Sequence, residues 1–260
     1  MNDVDDSSLT IVTVCLNDKA GLERTLSSAL GQSVPPAQLI VVDGGSTDGS
    51  AELAAEWTSA HAVVESISEP DRGVYDAMNK GLARASSRYV QFLNAGDELA
   101  DPDVVSDFQG FVRSRQFPLT VHGYTVFVDG SGARTGRSAN LPYSWLAHLL
   151  GRQMHAHPST FVNSRLMRAV GGFSLSYGLA GDYDALLRVF AVARPVGWSR
   201  EVARFWPGGV SQVSAAQVPQ LLARVRRDLL NPVGVASLAE RVWSTAYALN
   251  YRRLLRRGRR

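Results

Sequence analysis

Two stretches of this 260-residue chain end apolar runs in carboxylates: Val41-Val42-Asp43-Gly44-Gly45-Ser46-Thr47-Asp48-Gly49 and Phe92-Leu93-Asn94-Ala95-Gly96-Asp97. In an α/β sheet the C-terminal ends of neighbouring strands open onto the ligand crevice, so Asp43 and Asp97 can flank one nucleotide. Asp43 can accept hydrogen bonds from a base or ribose; equally, Asp-Gly is a common turn dipeptide that needs no ligand. Asp97 can anchor Mg²⁺ or Mn²⁺, hard cations that take one or two carboxylates and complete their shell with phosphate oxygens and water. Asn94 stands at the same strand end and Gly96 permits close approach of a ligand. The plainer reading of Asp97 is a loop carboxylate that caps the next turn together with Glu98. An NAD site also puts an acid after its second strand, but the first turn here, Cys15-Leu16-Asn17-Asp18-Lys19-Ala20-Gly21, lacks the required glycine-rich fingerprint.

Three further stretches carry charge or imidazole. Asp71-Arg72-Gly73 precedes a helix that begins near Val74, where an acid and a base can hold a ring edge or phosphates, or cap the helix. Asp76, Asn79 and Lys80 fall on the polar side of that helix, which a solvated face explains equally well. His155 and His157 lack a Cys or Glu partner, so the pair is a poor zinc signature. Asp182 and Asp184 open another helix, where the dipole favours negative charge. Capping accounts for one of them and leaves the other free to act as a base.

The elements that must position these residues alternate. Thr10–Leu16 is apolar and β-branched without polar alternation, the pattern of a strand buried on both faces. Asp18–Gln32 reads as a helix, Leu39–Asp43 as a strand, and Leu53, Ala54 and Trp57 mark a second helix. Val63–Ser68, a helix from Val74 to Ala85 and Tyr89–Leu93 continue the order. Such alternation specifies an open, doubly wound sheet. Beyond Asp97 the pattern predicts a helix at Asp103–Arg113 and a hairpin turning at Asp129–Gly132. An extended piece at Pro158–Val162 follows, then helices at Ser164–Val170 and Asp182–Val192. Ser214–Arg260 is mostly helical, with a break at Asn231-Pro232. The expected division is a flexible segment 1–8, a catalytic domain 9–210 and a basic helical extension 211–260.

Composition is that of an ordinary globular protein: 45% hydrophobic and 20% charged residues, with a formal charge of +3. One cysteine, Cys15, points to a reducing compartment, and neither an export signal nor a membrane-spanning run is evident. The expectation is a cytoplasmic protein. Its basic residues crowd the end: Arg252, Arg253, Arg256, Arg257, Arg259 and Arg260, with Arg224, Arg226, Arg227 and Arg241 upstream. A solvated helix face would explain them. No DNA- or RNA-binding module accompanies them, whereas Trp243, Tyr247, Leu249, Tyr251, Leu254 and Leu255 supply an apolar side, so an anionic membrane on the inner face of the cell is the expected partner.

Thr13-Val14-Cys15-Leu16-Asn17, the Asp43 and Asp97 stretches, Glu69-Pro70-Asp71-Arg72-Gly73-Val74-Tyr75-Asp76-Ala77-Met78-Asn79-Lys80-Gly81 and Ala180-Gly181-Asp182-Tyr183-Asp184 occur together in one order. In that order the chain, over about residues 9–210, resembles the family 2 glycosyltransferases that build bacterial cell-surface polysaccharides and glycolipids. The resemblance implies a GT-A fold, a Rossmann-like mixed open sheet flanked by helices. It also implies a nucleotide-sugar donor, most often a UDP-sugar, a glycan or lipid-linked acceptor, and transfer with inversion. Thr13, Asn17, Asp43, Asp71 and Arg72 would bind the nucleotide. Asp97, with His157, would hold Mg²⁺ or Mn²⁺ at the diphosphate, and Asp182 would be the general base, supported by Asp76, Asn79, Asn94 and Asp184. Two departures stand out: the family's usual Asp-x-Asp is Asn94-Ala95-Gly96-Asp97, and Gly181 replaces a frequent Glu. The choice between Asp182 and Asp184 stays open. A nucleotidyltransferase would need a glycine-rich triphosphate loop near the first strand, which is missing. A non-catalytic sugar-nucleotide-binding subunit would have no need of both Asp97 and Asp182.

Overall fold

The computed structural model describes residues 7–138, 141–153, 156–207, 217–231 and 235–257. The chain opens with β1 (Leu9–Cys15), α1 (Lys19–Leu30), β2 (Gln38–Asp43), α2 (Ser50–Ala60), β3 (Val64–Ser68), α3 (Val74–Arg84) and β4 (Tyr89–Phe92). β1 pairs in parallel with β2 and β4, and β2 with β3. Every residue of β1 and β2 is buried, as strands covered by helices on both faces must be. Alternate side chains feed two cores. Ile11, Leu39 and Val41 meet Leu22, Leu26 and Leu53 on one side, and Val12, Val14, Ile40 and Val42 meet Met78 and Leu82 on the other. The order β3-β2-β1-β4 changes direction at β1, which opens a crevice beyond the strand ends that carry Asp43 and Asn94.

The second half completes the sheet with β5 (Glu98–Leu99), α4 (Val104–Ser114), β6 (Thr120–Val128), β7 (Arg134–Arg137), α5 (Trp145–Leu149), β8 (Thr160–Asn163), α6 (Ser164–Ala169), α7 (Gly181–Val192) and β9 (Val196–Phe205). The order continues β4-β8-β6-β9-β5, with β7 on β6. β8 is antiparallel to β4 and β6, β9 parallel to β6, and β5 antiparallel to β9, so the sheet is mixed and open, as expected. Three elements were not foreseen. β5 and α5 are too short to leave a periodic signature, and β9 carries Arg200, Glu201 and Arg204 within Val196–Phe205 and is half-exposed, so only pairing with β6 defines it.

Two C-terminal helices follow. α8 (Val218–Leu230) ends where a break was expected, with Asn231 in the left-handed conformation that commonly closes a helix. Its Leu222 and Val225 pack on Leu149, Tyr183 and Leu187 of the body. α9 (Val235–Arg257) is fixed to α8 through buried Arg226, whose Nη2 donates to Ser244 Oγ at 2.8 Å and whose Nε stands 3.5 Å from Glu240. Trp243 Nε1 donates to the Leu150 carbonyl and the Tyr247 hydroxyl to that of Gly151. This corrects the sequence reading of the tail: Trp243 and Tyr247 are turned toward the protein because their polar atoms find backbone carbonyls there. The side chains of Tyr251, Leu254, Leu255 and the arginines from Arg252 onward, like His155, lie outside the described residues. At the other end Ser7 and Ser8 are buried, and Ser8 bonds the Arg88 and Tyr89 amides, so the packed body starts within the segment assigned to 1–8. Among the described residues no helix is long and apolar enough to cross a membrane.

Candidate active site

One part of the candidate site is built where β1, β2 and the turn before α3 meet. Asp43 ends β2, fully buried, and its Oδ2 accepts from the Ser68 hydroxyl at 2.6 Å and from the Gly45 and Ser46 amides. Burial alone would push this carboxyl up, but those donors outweigh it and hold it below the usual carboxylate range. Its Oδ1 has no partner, and neither has Thr13 Oγ1 on the adjacent strand. Buried polar atoms are rarely left unpaired, so these two oxygens are the candidate ligand contacts at this edge. Gly44 lets Asp71 join them, since a Cβ there would fall on the Asp71 carboxylate. Asp71 Oδ1 accepts from the Gly73 amide at 2.7 Å.

The neighbouring candidates bond within the chain. Asn17, at φ 53°, spends its amide oxygen on the Thr47 amide at 2.9 Å and donates its own N–H to Ser46 Oγ, tying the β1 and β2 loops together. Arg72 folds back on Asp76, Nη2 to Oδ1 at 2.8 Å, yet its side chain stays exposed and free to swing. Asn79 bonds both the carbonyl and the amide of Phe173, which anchors the segment leading to Asp182.

Asp97 lies just past β4 and is 5% exposed. Burial raises its carboxyl to about 7, against the pull of the Trp206 amide and Arg24. The Trp206 N–H donates to Asp97 Oδ1 at 3.3 Å, its indole donates to Glu98 at 2.6 Å, and Arg24 stacks on its ring at 4.2 Å. Asn94 Oδ1 is buried without a partner. His157 is held by its Nδ1, 3.0 Å from the Phe92 carbonyl. A carbonyl only accepts, so Nδ1 carries the proton and Nε2 keeps its lone pair, the arrangement found in metal-ligating histidines. Desolvation lowers the His157 pKa against the charge of Asp182 and the Phe92 bond, which favours the neutral ring. Gln91, buried in β4, donates to the Pro158 carbonyl at 2.6 Å and pins the same turn. A buried carboxylate, an orphan amide oxygen and an imidazole lone pair suit a hard divalent cation, although among the described residues no three His, Cys, Asp or Glu side chains form a complete metal cluster.

Asp182 and Asp184 share the first turn of α7 but not a setting. Asp184 Oδ2 receives Nε and Nη2 of Arg188 at 3.1 and 2.6 Å, and Arg188 also donates to the carbonyls of Val170 and Gly172. Asp182 is met by neutral donors instead: its Oδ1 takes the Tyr75 hydroxyl at 3.2 Å and the Tyr183 amide at 2.7 Å. It is also close enough to His157 for its charge to act on the ring. Phe92, Phe173 and Tyr75 form a chain of ring contacts from β4 to Asp182, at 4.7 and 5.5 Å between centroids. The structure therefore puts Asp71 against Gly44, next to Asp43, and His157 near Asp182 beyond β4, while Asp184 is paired with Arg188 and Asn79 with the Phe173 backbone. Tyr75, Gln91, Arg24 and Trp206 were missed as site residues. Tyr75 lay inside a motif singled out for its neighbours, whereas Trp206 follows a strand with no sequence signal.

The fold is the mixed, open α/β sheet expected, and the sequence comparisons give the family to which it belongs. Residues 10–162 match the Glycosyl transferase family 2 model, and the chain belongs to that family. It is 32% identical over 190 residues to an uncharacterized glycosyltransferase of Mycobacterium tuberculosis, covering 73% of this chain and 71% of the relative. A PGL/p-HBAD biosynthesis glycosyltransferase of Mycobacterium bovis is 29% identical over 185 residues, 70% of this chain and 69% of that one. Among solved structures, S. aureus TarS 1-349 in complex with UDP-GlcNAc superposes with a TM-score of 0.64 at 15% identity, covering 84% of this chain and 66% of that one. Against the longer TarS chain the coverage falls to 39% of that protein. The mannosyltransferase PcManGT from Pyrobaculum calidifontis in complex with GDP-Man and Mn²⁺ gives 0.64 at 17% identity, covering 92% and 69%. The chain is thus a glycosyltransferase with the expected mixed α/β fold.

Proposed function

We propose that this glycosyltransferase moves a sugar from a nucleoside-diphosphate donor to an acceptor hydroxyl with inversion, using Asp182 as base. The observation that carries this is the contrast at the start of α7: Asp184 is neutralised by Arg188, while Asp182 meets only neutral donors and faces His157. Thr13 and Asp43 bind the nucleoside through their orphan oxygens, with Asp71 beside them, and Arg72 swings from Asp76 to a phosphate. Asp97, Asn94 and His157 are the residues that would hold Mg²⁺ or Mn²⁺. A cation bound there supplies Lewis acidity that neutralises charge on the departing diphosphate.

An acceptor hydroxyl has a pKa far above 7, so it must lose its proton as it attacks the anomeric carbon. A carboxylate within about 3 Å takes that proton, worth roughly 10²–10⁴-fold in rate. Asp182 keeps Oδ2 for this role while Oδ1 is held by Tyr75 and the Tyr183 amide. One base and no enzyme nucleophile give a single displacement, and hence inversion.

UDP-GlcNAc and GDP-mannose, the donors named with the fold neighbours, are the first to try, and the acceptor class is a glycan or lipid-linked hydroxyl at a cytoplasmic membrane surface. The test is product identity from donor turnover with and without Mn²⁺. Nucleoside diphosphate with an inverted glycoside supports the reading; pyrophosphate, a retained anomer, or donor binding without turnover overturns it.

A further inference from the structure

α9 presents two opposite faces. At about 100° per residue, Glu240, Trp243, Ser244 and Tyr247 fall within one arc of roughly 100°, and these are the side chains that bond α8 and the 150–151 backbone. Leu238, Val242 and Leu249 fall within about 40° of one another on the far side. They are 63%, 63% and 55% exposed, an apolar stripe on a helix whose other face is already packed. Leu229 and Leu230 at the end of α8 add exposed apolar surface.

Charge decides what such a stripe would meet. After Glu240 the chain has seven arginines, Arg241, Arg252, Arg253, Arg256, Arg257, Arg259 and Arg260, and not one Asp or Glu. Nucleic acid would attract the arginines but offers no apolar interior for three exposed aliphatic side chains. A second copy of this chain would bring the same positive charge to the contact. An anionic bilayer satisfies both halves of the pattern, with headgroup charge for the arginines and acyl chains for the stripe.

We propose that α9 lies on an anionic lipid surface with Leu238, Val242 and Leu249 inserted, while Trp243 and Tyr247 clamp the helix to the catalytic body. The lipid-facing residues are therefore different from the aromatic ones that the sequence of the tail suggests. The clamp makes this more than a tether. Because α8 also packs on Tyr183 of α7, the residue next to Asp182, docking fixes the orientation of the body relative to the membrane plane.

The experiment is co-sedimentation of the full chain with phosphatidylcholine vesicles containing or lacking half phosphatidylglycerol. The full chain should bind the anionic vesicles alone, and more weakly at high salt because mobile ions screen exposed charge. Leu238→Glu/Val242→Glu/Leu249→Glu should weaken binding by more than about tenfold with unchanged circular dichroism. Arg252→Gln/Arg253→Gln/Arg256→Gln/Arg257→Gln should weaken it by a similar factor. Vesicle affinity equal to wild type in the leucine-stripe variant overturns the proposal. So does a dimer in sedimentation velocity that the stripe variant dissociates, which would assign the stripe to a second copy. Duplex DNA binding without vesicle binding would assign the arginines to nucleic acid and overturn it as well. Donor turnover is a separate readout, so failure of docking and failure of the catalytic reading are told apart.

Discussion

The Tyr75 hydroxyl stands 3.2 Å from Asp182 Oδ1, and a Cβ on Gly181 would lie 2.6 Å from the same tyrosine ring. The two facts form one device, because the ring reaches the carboxylate only while residue 181 has no side chain. Burial, with the charge of Asp182, pushes the Tyr75 phenol well above its ordinary range, so it stays a donor at every working pH. Tyr75→Phe keeps the ring stack on Phe173 and removes that donor. Asp182 then loses one of its two donors, and kcat should fall roughly tenfold, the loss that a hydrogen bond of about 1.5 kcal/mol implies. Donor affinity should stay within a few-fold. Gly181→Ala, which displaces the ring, should show the same loss. A kcat equal to wild type in Tyr75→Phe would show that the contact is only structural.

Asp182 and Asp184 separate by what each loses on amidation. Asp184→Asn breaks a buried pair with Arg188, at a cost on the order of 2–3 kcal/mol once solvent at the partly exposed Arg188 is allowed for. Thermal stability should fall by several degrees while turnover per folded molecule stays near wild type. Asp182→Asn should melt close to wild type and lose roughly 10²-fold or more in kcat, with donor affinity little changed. Melting curves and single-turnover rates on the two variants decide it, and the reverse pattern would move the base to Asp184.

Where the sequence pattern is local, it reads well. β1, β2 and β4 are largely apolar runs, and α1 to α3 show plain helical spacing, so the candidates that hang on the strand ends, Thr13, Asp43 and Asp97, can be picked out from the chain alone. The rest depends on long-range contact. β9 is a strand because β6 pairs with it, and only then does Trp206 reach Asp97. Tyr75 touches Asp182 across more than a hundred residues, through a gap that Gly181 leaves and no periodicity announces. In the tail only the aromatics are misread, for a related reason: Trp243 and Tyr247 look like lipid-facing residues until the carbonyls of Leu150 and Gly151 are found beneath them.

Thr13 offers a test of the nucleotide edge that does not depend on turnover. Its hydroxyl is buried and unpaired, and such a group costs about 1–3 kcal/mol where no partner replaces water. Thr13→Val is nearly isosteric and removes that cost, so the ligand-free variant should melt as high as wild type or a few degrees higher. If the hydroxyl meets the nucleotide, the rise in melting temperature on adding UDP or GDP should shrink in the variant. A full nucleotide-induced rise would place Thr13 outside the site.

Asp97 makes metal binding depend on pH in a direction that can be worked out. Its carboxyl sits at about 7 in the folded chain against an ordinary 3.8. Between those values the folded protein keeps a proton that the unfolded chain has released. The stabilisation from this residue is therefore complete below about pH 4 and is lost as pH rises toward 7, to a total of roughly 4 kcal/mol. Asp97→Asn never ionises, so in the absence of metal it should gain stability relative to wild type between pH 5 and 8. A divalent cation favours the ionised carboxylate and offsets the same burial cost. The Mn²⁺-induced rise in melting temperature should accordingly be larger at pH 8 than at pH 6, and should disappear in Asp97→Asn. A rise that is equal at both pH values and survives in the Asn variant would take Asp97 out of the metal site and leave its carboxyl as a cap for Trp206.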